Sequence, residues 1–297
     1  MTALPDGAPR PPAAAERVGI VGCGLMGSGI AEVVAAAGLD VLAAVSRPAS
    51  RDRGLGLLRG SLDRAVDRGR RTAEERAEIL GRIRFTTDPD DLADRTLVIE
   101  AVSEDERIKQ EVFGRLDKIV EADDAVLAST TSAIPIMRLG RATSRPERVV
   151  GMHFFNPVPA MRLVELVPSL ATDGDATERA TAFVAGTLGK EPIRCADRTG
   201  FVVNTLLIPY LLAAVRMVES GAATPEVVDR AMVLGCAHPQ GPLKLADLIG
   251  LDSVAAIAEA LYAEFREPLY SPPPLLSRMV ECGLLGRKSG RGFYAYT

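Results

Sequence analysis

Arg17-Val18-Gly19-Ile20-Val21-Gly22-Cys23-Gly24-Leu25-Met26-Gly27 decides the fold: a short apolar run of strand type, a glycine-rich turn, and then a helical pattern over residues 28–37. This is the order of the strand, turn and helix that open a dinucleotide-binding sheet. Gly22 permits the tight turn, Gly24 lets backbone approach a pyrophosphate, and Gly27 lets helix pack on strand. The free N–H groups of the first helical turn then face the phosphates. Gly22, Gly24, Leu25, Met26 and Gly27 are therefore candidate cofactor-binding positions.

The next apolar run, Val41-Leu42-Ala43-Ala44-Val45, leads into Ser46 and Arg47, where an adenosine ribose with a free 2′-hydroxyl calls for an acid. A carboxylate there accepts from the ribose hydroxyls and repels a 2′-phosphate. A hydroxyl and a guanidinium instead hydrogen-bond and neutralise that phosphate. Ser46 and Arg47 thus predict NADP over NAD. The alternative is an Arg47 that is merely solvated, with NAD held by other contacts.

Outward from this start, helical patterns over residues 52–69, 72–82 and 107–122 alternate with strand patterns over 83–86, 96–100, 125–129 and 148–152. Such alternation indicates an α/β fold with a doubly wound, mainly parallel sheet, whose ligands bind outside the carboxyl ends of the strands. Ala101, residues 129–132 and His153 then share one rim with the glycine turn. His153 is one of two histidines in the chain, and an imidazole on that rim suits a general acid or base. After a turn containing Pro157 and Pro159, the strand-like run 161–167 can fold back beside it. Glu165 then either reaches the imidazole and fixes its tautomer or points outward as an edge-strand charge.

From Arg198 the alternation gives way to helix: residues 204–219, a helix begun by Thr224-Pro225, and 246–265 with a glycine break. The chain thus divides into a mobile tail at 1–16, a dinucleotide-binding domain at 17–197 and an all-helical domain at 198–297. His238, in a proline-rich loop, reads as structural.

At 297 residues, 47% hydrophobic, 25% charged and a net charge of −4, the composition is that of a soluble globular protein with two domains. The slight acidity argues against a general nucleic-acid footprint. Cys23, Cys195, Cys236 and Cys282 are scattered without a C-x-x-C pair, which fits reduced thiols in a cytoplasm and gives no metal-site spacing. No apolar stretch has membrane-spanning length.

Taken in order, Gly22 to Gly27, Thr131-Ser132, His153-Phe154-Phe155-Asn156-Pro157, Val164-Glu165, Gly200-Phe201-Val202-Val203-Asn204 and Gly290-Arg291-Gly292-Phe293-Tyr294 resemble the short-chain L-3-hydroxyacyl-CoA dehydrogenases, and among them the bacterial 3-hydroxybutyryl-CoA dehydrogenases. The resemblance runs from about Arg17 to the end. It implies a Rossmann-type domain followed by a helical one, and a homodimer through the latter. It also implies hydride transfer between a nicotinamide and C3 of a short 3-hydroxyacyl or 3-oxoacyl thioester. Residue by residue, it implies His153 as the catalytic histidine, Glu165 as its carboxylate partner, and Ser132 and Asn204 as the groups that hydrogen-bond the reacting oxygen and orient substrate. Glu104, Lys109, Asn156 and Lys288 fall at positions near the nicotinamide and its ribose, and Ser61 at a coenzyme A contact.

The departures are as informative. Thr130-Thr131-Ser132-Ala133 stands where the family reads Asn-Thr-Ser-Ser, and Thr205 where an arginine is common. Gly56 replaces a lysine that contacts coenzyme A in many members, so Arg53 or Arg59 would have to serve it, or the acyl group would ride on a carrier protein. Val45 replaces the acid that selects NAD. A β-hydroxyacid dehydrogenase shares the glycine-rich start but relies on a lysine in place of the His/Glu pair, and a non-catalytic nucleotide-binding relative would need only the first half of the pattern.

Overall fold

β1 (Val18–Val21), β2 (Val41–Ala44), β3 (Ile83–Thr86), β4 (Leu97–Glu100), β5 (Val126–Ser129), β6 (Val149–Phe154), β7 (Leu163–Pro168) and β8 (Glu191–Arg194) join in one sheet, in the order β3-β2-β1-β4-β5-β6-β7-β8. This is a computed structural model, and it describes residues 16–296. The expected tail therefore lies outside the described residues apart from Glu16, which is not loose: its carboxylate pairs with Arg179 at 2.6 Å. All neighbours are parallel except β6 and β7. β2 and β4 flank β1 on opposite sides, so the winding reverses there and opens a crevice beyond the carboxyl ends of these strands.

α1 (Leu25–Ala36), α2 (Pro48–Asp67), α3 (Ala73–Gly81), α4 (Glu106–Ile119), α5 (Ile136–Gly140) and α6 (Gly174–Ala182) accompany the sheet. Ile20, Ile30, Val34, Ile99, Met152 and Leu166 are fully buried in its core. α2 begins four residues earlier than its apolar periodicity suggests: Pro48 supplies a preset φ at the first helical turn, while the polar run Ser50 to Arg53 hides the period. α3 is started by a reciprocal cap, in which Thr72 Oγ1 accepts from the Glu75 N–H at 3.2 Å and Glu75 accepts from the Thr72 N–H at 2.7 Å.

The described residues fall into two compact units that divide between Asp197 and Arg198. The second is helical: α7 (Val203–Glu219), α8 (Pro225–Cys236), α9 (Pro242–Ile249), α10 (Leu251–Phe265) and α11 (Pro274–Glu281). Gly250, at φ 104°, breaks α9 from α10. Thr224 caps α8 through its side chain. Among the described residues no helix is long and apolar enough to cross a membrane.

Two buried aspartates fasten this unit. Asp229 accepts from the Leu243 and Lys244 N–H groups at 2.8 and 3.0 Å and from the Tyr294 hydroxyl at 2.9 Å. Asp247, on α9, accepts from the Phe293 and Tyr294 N–H groups at 3.0 Å each and from the Tyr296 hydroxyl at 2.9 Å. Burial, reinforced by that bond, pushes the Tyr296 hydroxyl up to about 12, so it stays a donor at neutral pH. Gly292 is required by the close approach, since a Cβ there would lie 2.0 Å from Asp247 Oδ1. Asp247→Ala leaves three donors without their acceptor, and is expected to destabilise the helical unit by about 3 kcal/mol. Denaturant unfolding should show a lower midpoint at unchanged slope.

Candidate active site

The glycine turn separates three roles by geometry. Gly22 sits at φ 92° and passes so close to β4 that a Cβ would meet the Ala101 carbonyl oxygen at 2.7 Å. At Gly27 a Cβ would come within 2.0 Å of the Gly22 oxygen, so this glycine lets α1 close onto the turn. A Cβ on Gly24 would meet nothing within 4 Å, leaving its backbone open to a ligand. Gly24 also caps α1 without a side chain, which leaves the N–H groups of the first turn free. Leu25 is exposed beside it, and Met26 is half-buried.

Gly22 and Gly24 border a cavity of about 640 Å³ whose walls also include Ser46, Arg47, Arg53 and Ala101, whereas Leu25, Met26 and Gly27 are not among its lining residues. Arg115 also lines it, giving three arginines and no carboxylate among the lining residues. Arg53, considered for coenzyme A on sequence grounds, therefore lies in this crevice. Cys23 is buried beneath the turn, and burial pushes its thiol up to about 12, so it is no nucleophile. Ser61 does not line this cavity, and burial pushes the carboxyl of Glu32 on α1 up in pKa.

Beyond β4 lies a polar network that sequence reasoning only half found. Glu100, fully buried, accepts from Lys109 Nζ, the Val102 N–H and Ser129 Oγ, each at 2.7 Å. Lys109 Nζ also lies 3.3 Å from Glu104. Glu104 Oε1 in turn accepts from Thr131 Oγ1 at 2.5 Å, the Ser132 N–H at 2.9 Å and Ser132 Oγ at 3.3 Å. Glu104, Lys109 and Ser132 are thus joined, with Glu100 as the missed member. The available signal was an acid closing an otherwise apolar strand with a lysine in the helix that follows.

His153 and Glu165 are directly paired across the antiparallel β6–β7 ladder. His153 Nδ1 lies 2.7 Å from Glu165 Oε2, and the two residues are 5% and 1% exposed. The outward alternation considered for Glu165 does not occur: β7 is an inner strand of the sheet, not an edge, and both of its faces are buried through its middle. Phe155 packs beside the imidazole, with ring centroids 4.6 Å apart. Asn156 is exposed in the turn after β6.

The remaining candidates lie in the helical unit. Asn204 is buried in the first turn of α7, and Lys288 is bound to Asp252 at 2.6 Å. His238 bonds the Tyr210 hydroxyl through Nδ1 at 3.0 Å. Among the described residues no group of three or more His, Cys, Asp or Glu side chains gathers as a metal site would.

The family model for the 3-hydroxyacyl-CoA dehydrogenase NAD binding domain matches residues 17–198, and that for the 3-hydroxyacyl-CoA dehydrogenase C-terminal domain matches residues 200–296. The chain belongs to the 3-hydroxyacyl-CoA dehydrogenase family. Its Mycobacterium tuberculosis relative, named 3-hydroxybutyryl-CoA dehydrogenase, is 57% identical over 283 residues, spanning 95% of this chain and 99% of the relative. The mitochondrial hydroxyacyl-coenzyme A dehydrogenase of Sus scrofa is 39% identical over 288 residues, 95% of this chain and 91% of the relative. Among solved structures, M. tuberculosis FadB2 superposes with a TM-score of 0.94 at 57% identity, covering 95% of this chain and 99% of that one. The (S)-3-hydroxybutyryl-CoA dehydrogenase of Ralstonia eutropha superposes at 0.89 with 43% identity, covering 96% and 100%.

As a 3-hydroxyacyl-CoA dehydrogenase, the chain has a nicotinamide dinucleotide as its cofactor, and the crevice fits one. Gly24 leaves room for the pyrophosphate, the uncapped start of α1 supplies donors to it, and Ser46 and Arg47 border the far end.

Proposed function

We propose that this chain exchanges hydride between NADP(H) and C3 of a short 3-hydroxyacyl-CoA of the 3-hydroxybutyryl-CoA type, with His153 as general base and acid. The substrate class is drawn from the names of the relatives. The acid–base assignment is carried by one observation, the 2.7 Å contact of His153 Nδ1 with Glu165. A carboxylate only accepts, so Nδ1 holds the hydrogen and Nε2 keeps a lone pair. During oxidation Nε2 takes the proton of the C3 hydroxyl, and Glu165 stabilises the imidazolium that results. In reduction the same nitrogen returns the proton to the carbonyl oxygen. When bound, the nicotinamide supplies the matching hydride exchange at that carbon.

On the family resemblance, Ser132 and Asn204 are assigned to hydrogen-bond the reacting oxygen, where charge changes as the C–O bond changes order. Glu104, Lys109, Asn156 and Lys288 are assigned to the nicotinamide side and Ser61 to coenzyme A on the same resemblance. Arg47 and Arg53 in the crevice wall, with no carboxylate among its lining residues, favour the 2′-phosphate of NADP. Leu206, Val227 and Leu234 leave apolar side chains exposed on the helical unit, which favours a homodimer through it.

Initial rates with NADPH, comparing acetoacetyl-CoA with the acetoacetyl group on an acyl carrier protein, test the substrate. Faster turnover of the coenzyme A thioester is expected. A preference for the carrier protein would reassign the acyl carrier, and turnover of neither would sink the reading.

A further inference from the structure

We propose that Lys190 is a positioning residue, whose ammonium clamps the turn between the His153 strand and the Glu165 strand and so holds the imidazole and carboxylate together. This rests on His153 being the acid–base group. Lys190 immediately precedes β8 and is buried at 9% exposure. Its Nζ donates to the Val158 carbonyl at 2.7 Å and the Met161 carbonyl at 2.6 Å. Both oxygens belong to the turn over residues 155–162. The neighbouring Glu191 N–H donates to the Arg162 carbonyl at 2.8 Å, so side chain and backbone grip the same turn. Val158 itself is wedged on α1, where a Cβ at Gly29 would stand 2.9 Å from its own.

The clamp acts where the ladder is weakest. β5 pairs with β6 only through Val149, Val150 and Gly151, whereas Met152, His153 and Phe154 pair with β7 alone. The last pair before the turn is Phe154 with Val164, one step beyond His153 and Glu165. A hairpin end supported on one side frays first. Fastening the turn suppresses that fraying and keeps Nδ1 at bonding distance from the carboxylate.

The cost of the arrangement argues the same way. Among the described residues no carboxylate lies within ion-pair distance of Lys190, and burial draws its pKa below the ordinary lysine range. A cation buried on neutral carbonyls is more expensive to place than a methionine of similar length. What the ammonium supplies in return is directional: two charge-assisted hydrogen bonds to one turn.

Two measurements on the full-length protein test this. The chain has two histidines, so ¹⁵N-histidine NMR gives two imidazole spin systems, with that of His153 assigned by its loss in His153→Gln. Lys190→Met is expected to broaden or split the His153 signals while those of His238 stay put. It should lower kcat by about ten- to a hundred-fold, with KM values little changed. In a Glu165→Ala background the same substitution should cost nothing further, because the bond it protects is already gone. Lys190→Arg, which keeps a cationic donor, should restore most of the rate. Unchanged His153 signals and kcat, or losses that multiply in the double variant, would overturn the proposal. If Lys190→Met does not fold, Lys190→Gln is read by the same criteria. The NMR arm uses no substrate, so a wrong substrate assignment fails separately from a wrong role for Lys190.

Discussion

His153→Gln is expected to lower kcat for reduction of acetoacetyl-CoA by about a hundred- to ten-thousand-fold, the range that a positioned acid–base group contributes. Glutamine can still face Glu165 from β6 through its amide, and it fills much of the imidazole's volume, so the sheet should stay intact. It cannot titrate. The proton that must reach the carbonyl oxygen then has to come from water. Fluorescence titration of the coenzyme should give an unchanged Kd, because the glycine turn and the arginine-lined wall are untouched. A variant that keeps its kcat would show that another group carries the proton.

The second large effect concerns the coenzyme. The wild-type chain is expected to favour NADPH over NADH in kcat/KM by about tenfold or more, since a hydrogen bond between charged partners is worth about 1.5–3 kcal/mol. Arg47→Ala should remove most of that margin by weakening NADPH while leaving NADH nearly unaffected. Val45→Asp should go further and reverse it, by placing an acceptor for the ribose hydroxyls and a charge that repels the 2′-phosphate. Both variants sit at the carboxyl end of β2, away from His153 and Glu165, so the rate at saturating coenzyme should hold. A wild-type enzyme that clearly prefers NADH would place Arg47 among ordinary solvated charges.

Much of the architecture was legible because it is written in local chemistry. The glycine turn, the alternation of strand and helix, and the switch to helix after residue 198 all follow from patterns within a few residues. So did the hairpin that sets Glu165 against His153, since two prolines mark its turn. What local pattern could not settle was which way Glu165 points. Period-two alternation assumes one wet face, and β7 has none through its middle, where both faces are buried; β8, short and polar, gave no strand signal. Glu100 was hidden for a similar reason. Its partners Lys109 and Ser129 come from a helix and another strand, so only the folded chain shows that the buried acid is neutralised and fully bonded. Lys190 carries no local signal of its role, since its two carbonyl partners lie about thirty residues earlier in the chain and meet it only in the fold.

The aspartate on α9 also sets an order of events. Asp247 is wholly buried, yet every donor named for it comes from Phe293, Tyr294 and Tyr296. On a ribosome, the sheet unit can finish folding while the helices after Arg198 are still being made, since domains mature from the amino end. The helical unit cannot close at the same pace, because α9 carries a carboxylate that stays in water until those residues emerge. Synthesis of a short stretch far downstream thus acts as the release signal for burying a helix made earlier.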